Sequence, residues 1–183
     1  MTCIVGYRAK GKVYIGGDRL ASAGNSIDIR KQPKVFVKKE FAIGYTSSFR
    51  MGDILKYIFK IPPISKRMDE MKYMVTIFIP SLIKCLEKNR WLGVNEDVAS
   101  GGVFLVGING RLFTIFDDFQ VAEEEEDYSA IGCGEDVAKG AMNILTSNIL
   151  KNDKEIKNAI IRAIEAASTH CAWVGGGVDI VNV

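Results

Sequence analysis

Apolar and polar positions along the chain change period four times, and each change predicts a block of structure. Cys3–Tyr7 and Val13–Ile15 are short β-rich runs separated by Lys-Gly-Lys at 10–12, a pattern that predicts an N-terminal hairpin. A second pair, Lys34–Val37 and Phe41–Tyr45, turns through Lys38, Lys39 and Glu40. The spacing then becomes helical. Met51, Ile54, Leu55 and Ile58 share a face within 50–59, which Pro62-Pro63 ends. Met71, Met74, Val75, Phe78, Leu82, Ile83 and Leu86 do so within 69–91, with a bend expected near Pro80. That methionine-rich stripe reads as core packing.

β-rich runs return at 102–108 and 111–116 around Asn109-Gly110, a two-residue hairpin signal. Runs at 119–122 and 128–132 bracket five consecutive acids, Glu123 to Asp127, which read as a solvated turn, with partner docking as the alternative. Two helices, 135–150 and 154–168, and a last strand, 178–183, complete the order. Two antiparallel sheets stacked face to face, each with a helix pair outside, would bury every apolar face. The expected fold is therefore α+β, a four-layer αββα sandwich, formed by residues 1–183 as one domain.

Composition narrows the partners. The chain has 183 residues, 48% of them hydrophobic and 25% charged, with a formal net charge of +2. Such a balance makes no case for nucleic acid or a membrane. The apolar stretch 73–83 contains Pro80 and is too short to span a bilayer. No charged segment followed by an apolar run opens the chain, so no signal peptide is expected. Cys3, Cys85, Cys133 and Cys171 are too widely spaced for a zinc site or a disulfide framework, so reduced thiols and a cytoplasmic location are expected. No metal-ligand spacing or cofactor motif is present; Gly175–Gly177 lacks the strand-then-helix context of a phosphate loop.

The chemistry concentrates at the N-terminus. Removal of Met1, which precedes the small Thr2, would leave a hydroxyl and a free α-amine on one residue. That amine, with an ordinary pKa of roughly 7.7–8.0, can serve as the base that a weak hydroxyl nucleophile requires. A nearby cation would favour the alkoxide and keep the amine neutral. Lys34, opening an apolar strand, can point inward to Asp18 at the end of the second strand, or both can be ordinary surface residues. Gly44-Tyr45-Thr46-Ser47-Ser48 leaves a strand and enters a helix; its serines fit an oxyanion turn, a helix N-cap or both. His170, the single histidine, has no glycine-flanked serine elbow to serve.

Thr-Cys-Ile-Val-Gly at 2–6, Gly-Gly-Asp-Arg-Leu-Ala at 16–21, Lys34-Val35-Phe36, Ile43 to Ser48, and Ala-Ile-Gly-Cys-Gly at 130–134 together resemble the proteasome β-subunit and HslV-type peptidases, a group of N-terminal-nucleophile hydrolases. The resemblance runs from end to end. It implies Thr2 as nucleophile with its own α-amine as base, Lys34 as the local cation, Asp18 as its holder and the Ser48 N–H as oxyanion donor. Cys133 stands where that family usually has a supporting serine. Ala21, Gln32, Phe36, Thr46 and Arg50 would line the specificity pocket. Implied partners are further copies of the chain in a ring, an ATP-driven unfoldase and unfolded polypeptide substrates, with no cofactor. Three departures stand out. A thiol at Cys133 is a poorer donor than a hydroxyl, Cys171 and Val174 stand where proteasome subunits carry an aspartate and a serine, and Ser47-Ser48 replaces residues that are commonly glycine. Those at Cys133, Cys171 and Val174 motivate one alternative, a ring-forming structural or regulatory subunit without activity. A second is a small-molecule amidase in which Cys3, an intrinsically better nucleophile as a thiol, becomes the N-terminal residue after further trimming.

Overall fold

A computed structural model describes residues 2–23, 25–95, 98–150 and 152–183. Met1, whose removal the chemistry of Thr2 calls for, lies outside the described residues. The N-terminal hairpin forms as β1 (Cys3–Ala9) and β2 (Lys12–Asp18). They are the centre of a four-stranded antiparallel sheet, closed by β12 (Tyr128–Gly132) beside β1 and β13 (Val178–Asn182) beside β2. The second sheet runs β11 (Val121–Ala122), β10 (Arg111–Ile115), β9 (Phe104–Ile108), β6 (Phe41–Tyr45) and β5 (Val35–Lys38). Asn109 and Gly110 both adopt positive φ, 50° and 77°, and close the β9–β10 hairpin as their sequence requires.

Three apolar clusters separate four layers. Ile4, Val13, Ile15, Val35, Ala42 and Leu105 belong to the cluster between the sheets. The first sheet packs against α4 (Glu135–Leu145) and α5 (Asp153–His170) through Val5, Tyr14, Met142, Ile160 and Ile164. The second packs through Phe41, Ile43, Phe104 and Phe113 against α1 (Phe49–Asp53), α2 (Glu70–Tyr73) and α3 (Ile79–Lys88). This is the expected αββα sandwich.

The two helical layers depart differently from the 3.6-residue pattern. α1 continues into a π turn, Ile54–Ile58, in which the Phe59 N–H reaches the Ile54 carbonyl at 2.8 Å. The wider turn carries Phe59 into the core and leaves Ile58 42% exposed, contrary to the stripe expected. A second π turn, Met74–Phe78, joins α2 to α3 and turns Val75 outward, 50% exposed. It stands directly before Pro80, so the break expected there takes the form of a widened turn that relieves the proline's clash with the preceding carbonyls. On the other side, α4 stops at Leu145 rather than 150. Thr146 and Ser147 bond back to the Met142 and Ile144 carbonyls and end it. Asn152 caps α5, accepting from the Lys154 and Glu155 amides, both at 3.0 Å.

Three features lie beyond the periodicity. Two ribbons, β3 (Leu20–Ala23) with β4 (Ser26–Ile29) and β7 (Gly93–Asn95) with β8 (Val98–Ser100), were not signalled. β4 is exposed throughout and has no buried face to impose alternation. Phe119, expected in a strand, instead has φ 68° in the turn before β11. Glu123 and Asp127 are not simply solvated. Arg8 reaches them at 3.2 and 3.0 Å, and Arg111 donates to Glu123 at 2.6 Å, tying the acidic loop to β1 and β10.

Candidate active site

Four elements converge on the start of β1. Asp18 ends β2 in the middle of the first sheet, Lys34 precedes β5, Cys133 follows β12, and Cys171 caps α5. Thr2, Asp18 and Lys34 are 2%, 0% and 2% exposed, so this is a buried polar cluster whose bonds must close internally.

They do close. The Lys34 ammonium donates to Thr2 Oγ at 2.5 Å, to Asp18 Oδ1 at 2.8 Å and to the Leu20 carbonyl at 2.6 Å, which engages all three of its protons. Asp18 Oδ1 also accepts from the Thr2 hydroxyl and from the Cys3 amide, the latter at 3.0 Å. Its Oδ2 accepts the Leu20 and Gly175 amides, each at 3.2 Å. Burial pulls the Lys34 ammonium below the usual lysine value, and Asp18 opposes that pull. The inward lysine and its carboxylate partner are thus realised as an ion pair, and both prevail over the reading as ordinary surface residues. Gly175 acts as the expected backbone turn and adds one amide to the cluster.

The wall opposite is made of sulfur and backbone. Cys133 Sγ donates to the Thr2 carbonyl at 3.4 Å and lies 3.4 Å from Cys171 Sγ. Gly132, φ 100°, runs so close to Thr2 that a Cβ there would stand 2.3 Å from the Thr2 carbonyl oxygen. Cys3, the nucleophile of the amidase alternative, faces away. It is buried among Val5, Ala163 and Ala167 beneath α5, and burial pushes its thiol up to about 12.

A small pocket opens over Thr2 and Lys34, lined further by Tyr45, Thr46, Ser47, Ser48 and Phe49. Ser48 Oγ accepts the Arg50 amide at 3.1 Å and is the N-cap of α1. Its N–H, the expected oxyanion donor, bonds the Thr46 carbonyl at 2.9 Å across a γ-turn whose central residue, Ser47, has φ 73°. Ser47 Oγ accepts from the Val103 amide at 3.2 Å and pins that turn. Of the five residues expected to line a specificity pocket, Thr46 alone lines this one. Ala21 and Phe36 are buried, Phe36 in the core under the helices, while Gln32 and Arg50 are exposed. Sequence reasoning missed Tyr45 and Phe49. Phe49 packs edge-on against Tyr45 and sits under the Arg30 guanidinium at 4.8 Å. Their one signal was an aromatic on either side of Thr-Ser-Ser.

Among the described residues, no group of three or more His, Cys, Asp or Glu side chains is placed to hold a metal ion, and no helix is long and apolar enough to cross a membrane.

No family model matches the chain. A proteasome subunit beta of Frankia casuarinae is 25% identical over 99% of this chain and 67% of its own length. Thiobacillus denitrificans BPH, in complex with epoxomicin, superposes with a TM-score of 0.80 at 17% identity, covering all of this chain and 98% of that one. HslV from Trypanosoma brucei gives a TM-score of 0.68 at 16% identity over 99% and 98% of the two chains. The chain is thus similar from end to end to proteasome β subunits in sequence, and it shares its sandwich fold with BPH and HslV.

Proposed function

We propose that this chain is a threonine peptidase subunit, with Thr2 as nucleophile, that cleaves unfolded polypeptides. The observation that carries the reading is the environment of Thr2 Oγ, which is held by Asp18 Oδ1 on one side and by the Lys34 ammonium at 2.5 Å on the other. Cleavage of the Met1–Thr2 bond frees the α-amine. Thr2 Oγ attacks the peptide carbonyl carbon while its proton passes to that amine, directly or through a water. Lys34 favours the alkoxide, and Asp18 fixes Lys34. The oxyanion takes the Ser48 N–H once the γ-turn at Ser47 opens and releases it from Thr46. The amine then protonates the leaving nitrogen, an ester remains on Thr2, and water hydrolyses it. Cys133 supports the Thr2 carbonyl throughout. Thr46, Tyr45 and Phe49 face the substrate beside the nucleophile, with the exposed Gln32 and Arg50 as further specificity positions.

The whole chain acts as one domain in a homo-oligomeric ring in the cytoplasm, fed by an ATP-driven unfoldase. The similarity to a proteasome subunit beta and the fold shared with HslV support this assembly. Thr2→Ala is the direct test. It should remove hydrolysis of unfolded casein while leaving the particle size in light scattering unchanged, and retained turnover would refute Thr2.

A second reading, a ring-forming subunit without activity, draws on the occupied Ser48 amide and on the thiols beside Thr2. Epoxomicin, found bound to the similar Thiobacillus protein, separates the two. A Thr2-dependent mass adduct supports the peptidase, and an unlabelled chain beginning at Thr2 supports the inactive subunit.

A further inference from the structure

Cys133 and Cys171 meet at one end of the outer helix pair, one ahead of α4 and the other at the end of α5. Their sulfurs are 3.4 Å apart although 38 positions separate them in the chain. Cys133 is exposed and Cys171 partly so, and a dissolved oxidant can reach them. Neither of the other thiols competes. Cys3 is sealed in the core, and Cys85 lies on α3 in the opposite helical layer. As hydrogen-bonding groups, two thiols serve Thr2 poorly, since a thiol is a weak donor and a weak acceptor. What distinguishes two thiols in contact is that they can give up two electrons together.

We propose that Cys133 and Cys171 are a modification site, oxidised by a peroxide to an intramolecular disulfide that turns the Thr2 site off reversibly. The Cys133 thiolate attacks one oxygen of hydrogen peroxide, the O–O bond breaks, and the departing hydroxide takes the thiol's proton as water. A sulfenic acid remains on Cys133. The Cys171 thiolate then attacks that sulfur; the S–S bond forms, the S–O bond breaks, and a second water leaves. Two thiols and one peroxide give one disulfide and two waters, the sulfurs supplying both electrons.

The S–S bond, about 2.05 Å long, draws the sulfurs together by more than 1 Å. Cys133 thereby loses the S–H that bonds the Thr2 carbonyl. The β12–α4 turn has no slack at that point, because Gly132 already lies against the same carbonyl. Thr2 is shifted against Asp18 and Lys34, and a misplacement of that size at a reacting group lowers rates by roughly a hundredfold. A dithiol reductant reverses the bond by exchange.

The disulfide stands on the sulfur geometry alone, while its effect on turnover rests on Thr2 as nucleophile. The test is equimolar hydrogen peroxide on the purified full chain at pH 8, followed by intact mass, a non-reducing peptide map and hydrolysis of unfolded casein. The expected result is a loss of about 2 Da, one cross-linked peptide joining Cys133 to Cys171, and turnover that collapses and returns with dithiothreitol. Cys85→Ser should behave like the parent chain, and Cys171→Ser should form no cross-link. A gain of about 16 or 32 Da without a cross-link, or an unchanged mass, would overturn the disulfide. A complete cross-link with full turnover would overturn the switch. If the reduced chain hydrolyses nothing, the peptidase reading falls, and mass and map still decide the disulfide.

Discussion

Thr2 sits between two walls of opposite character. On one side Asp18 and Lys34 form a buried, fully bonded ion pair, with every lysine proton and both carboxylate oxygens engaged. On the other, Cys133 and Cys171 offer long, weak sulfur contacts at the protein surface. A buried pair tolerates no loosening, because removal of either partner strands a charge without solvent. A thiol wall can change its chemistry without unfolding anything. The contrast teaches that the hydroxyl is set rigidly from the charged side, while the carbonyl side is where the proposed activity can be tuned.

Breaking the charged wall should have the largest effect. Lys34→Ala leaves the Asp18 carboxylate buried without a cation and should cost about 3–5 kcal/mol in urea unfolding, with hydrolysis lost as well. A cost under about 1 kcal/mol, the range of exposed pairs, would show that the pair is solvated. The double variant Asp18→Asn, Lys34→Met should recover much of the stability and none of the turnover, separating structure from chemistry. On the sulfur side, Gly132→Ala introduces a Cβ against the Thr2 carbonyl at a φ of 100°. It should cost about 1–3 kcal/mol and displace Thr2, so stability and turnover should fall together.

The pH profile sharpens the same contrast. The proposed mechanism needs a neutral α-amine and a charged Lys34, so turnover should rise through about 7.7–8.0 and fall again at alkaline pH. The alkaline limb should lie below the ordinary lysine value of 10.5, because burial lowers the Lys34 pKa. Lys34→Arg should remove that limb from whatever activity remains. The smallest effect belongs to Cys133→Ser, which replaces a weak donor to the Thr2 carbonyl with a hydroxyl. A hydrogen bond worth about 1 kcal/mol should raise turnover roughly fivefold. A drop in rate would show that the sulfur itself is required.

Much of this was legible in the sequence, and the losses have identifiable causes. Hydrophobic patterning located the two hairpins that begin the two sheets, as short β-rich runs around polar turns, because each strand there has a buried face. It missed β4, which has none, and it misplaced Ile58 and Val75, since a π turn shifts the buried face without any mark in the apolar spacing. The spacing of Thr2, Asp18 and Lys34 could not by itself separate an inward pair from two surface residues. A matching register at four landmarks pointed to the inward pair, and Lys34 and Asp18 do meet, at 2.8 Å.

What the sequence determined by itself was local. It set the hairpin turns, the order of strands and helices, the Ser48 cap and the presence of a hydroxyl, a carboxylate and an ammonium at fixed intervals. The tertiary structure decided what meets across intervals. It placed Cys133 against Cys171, brought Gly132 onto Thr2, turned Phe36 into the core and set Phe49 at the pocket. Closing the Thr46 γ-turn over the Ser48 amide also belongs to it, since the Ser47 hydroxyl that holds the turn is bonded from Val103, 56 residues away. Backbone propensity and period act over a few residues, whereas these contacts depend on how two sheets and two helical layers stack, which no local pattern encodes.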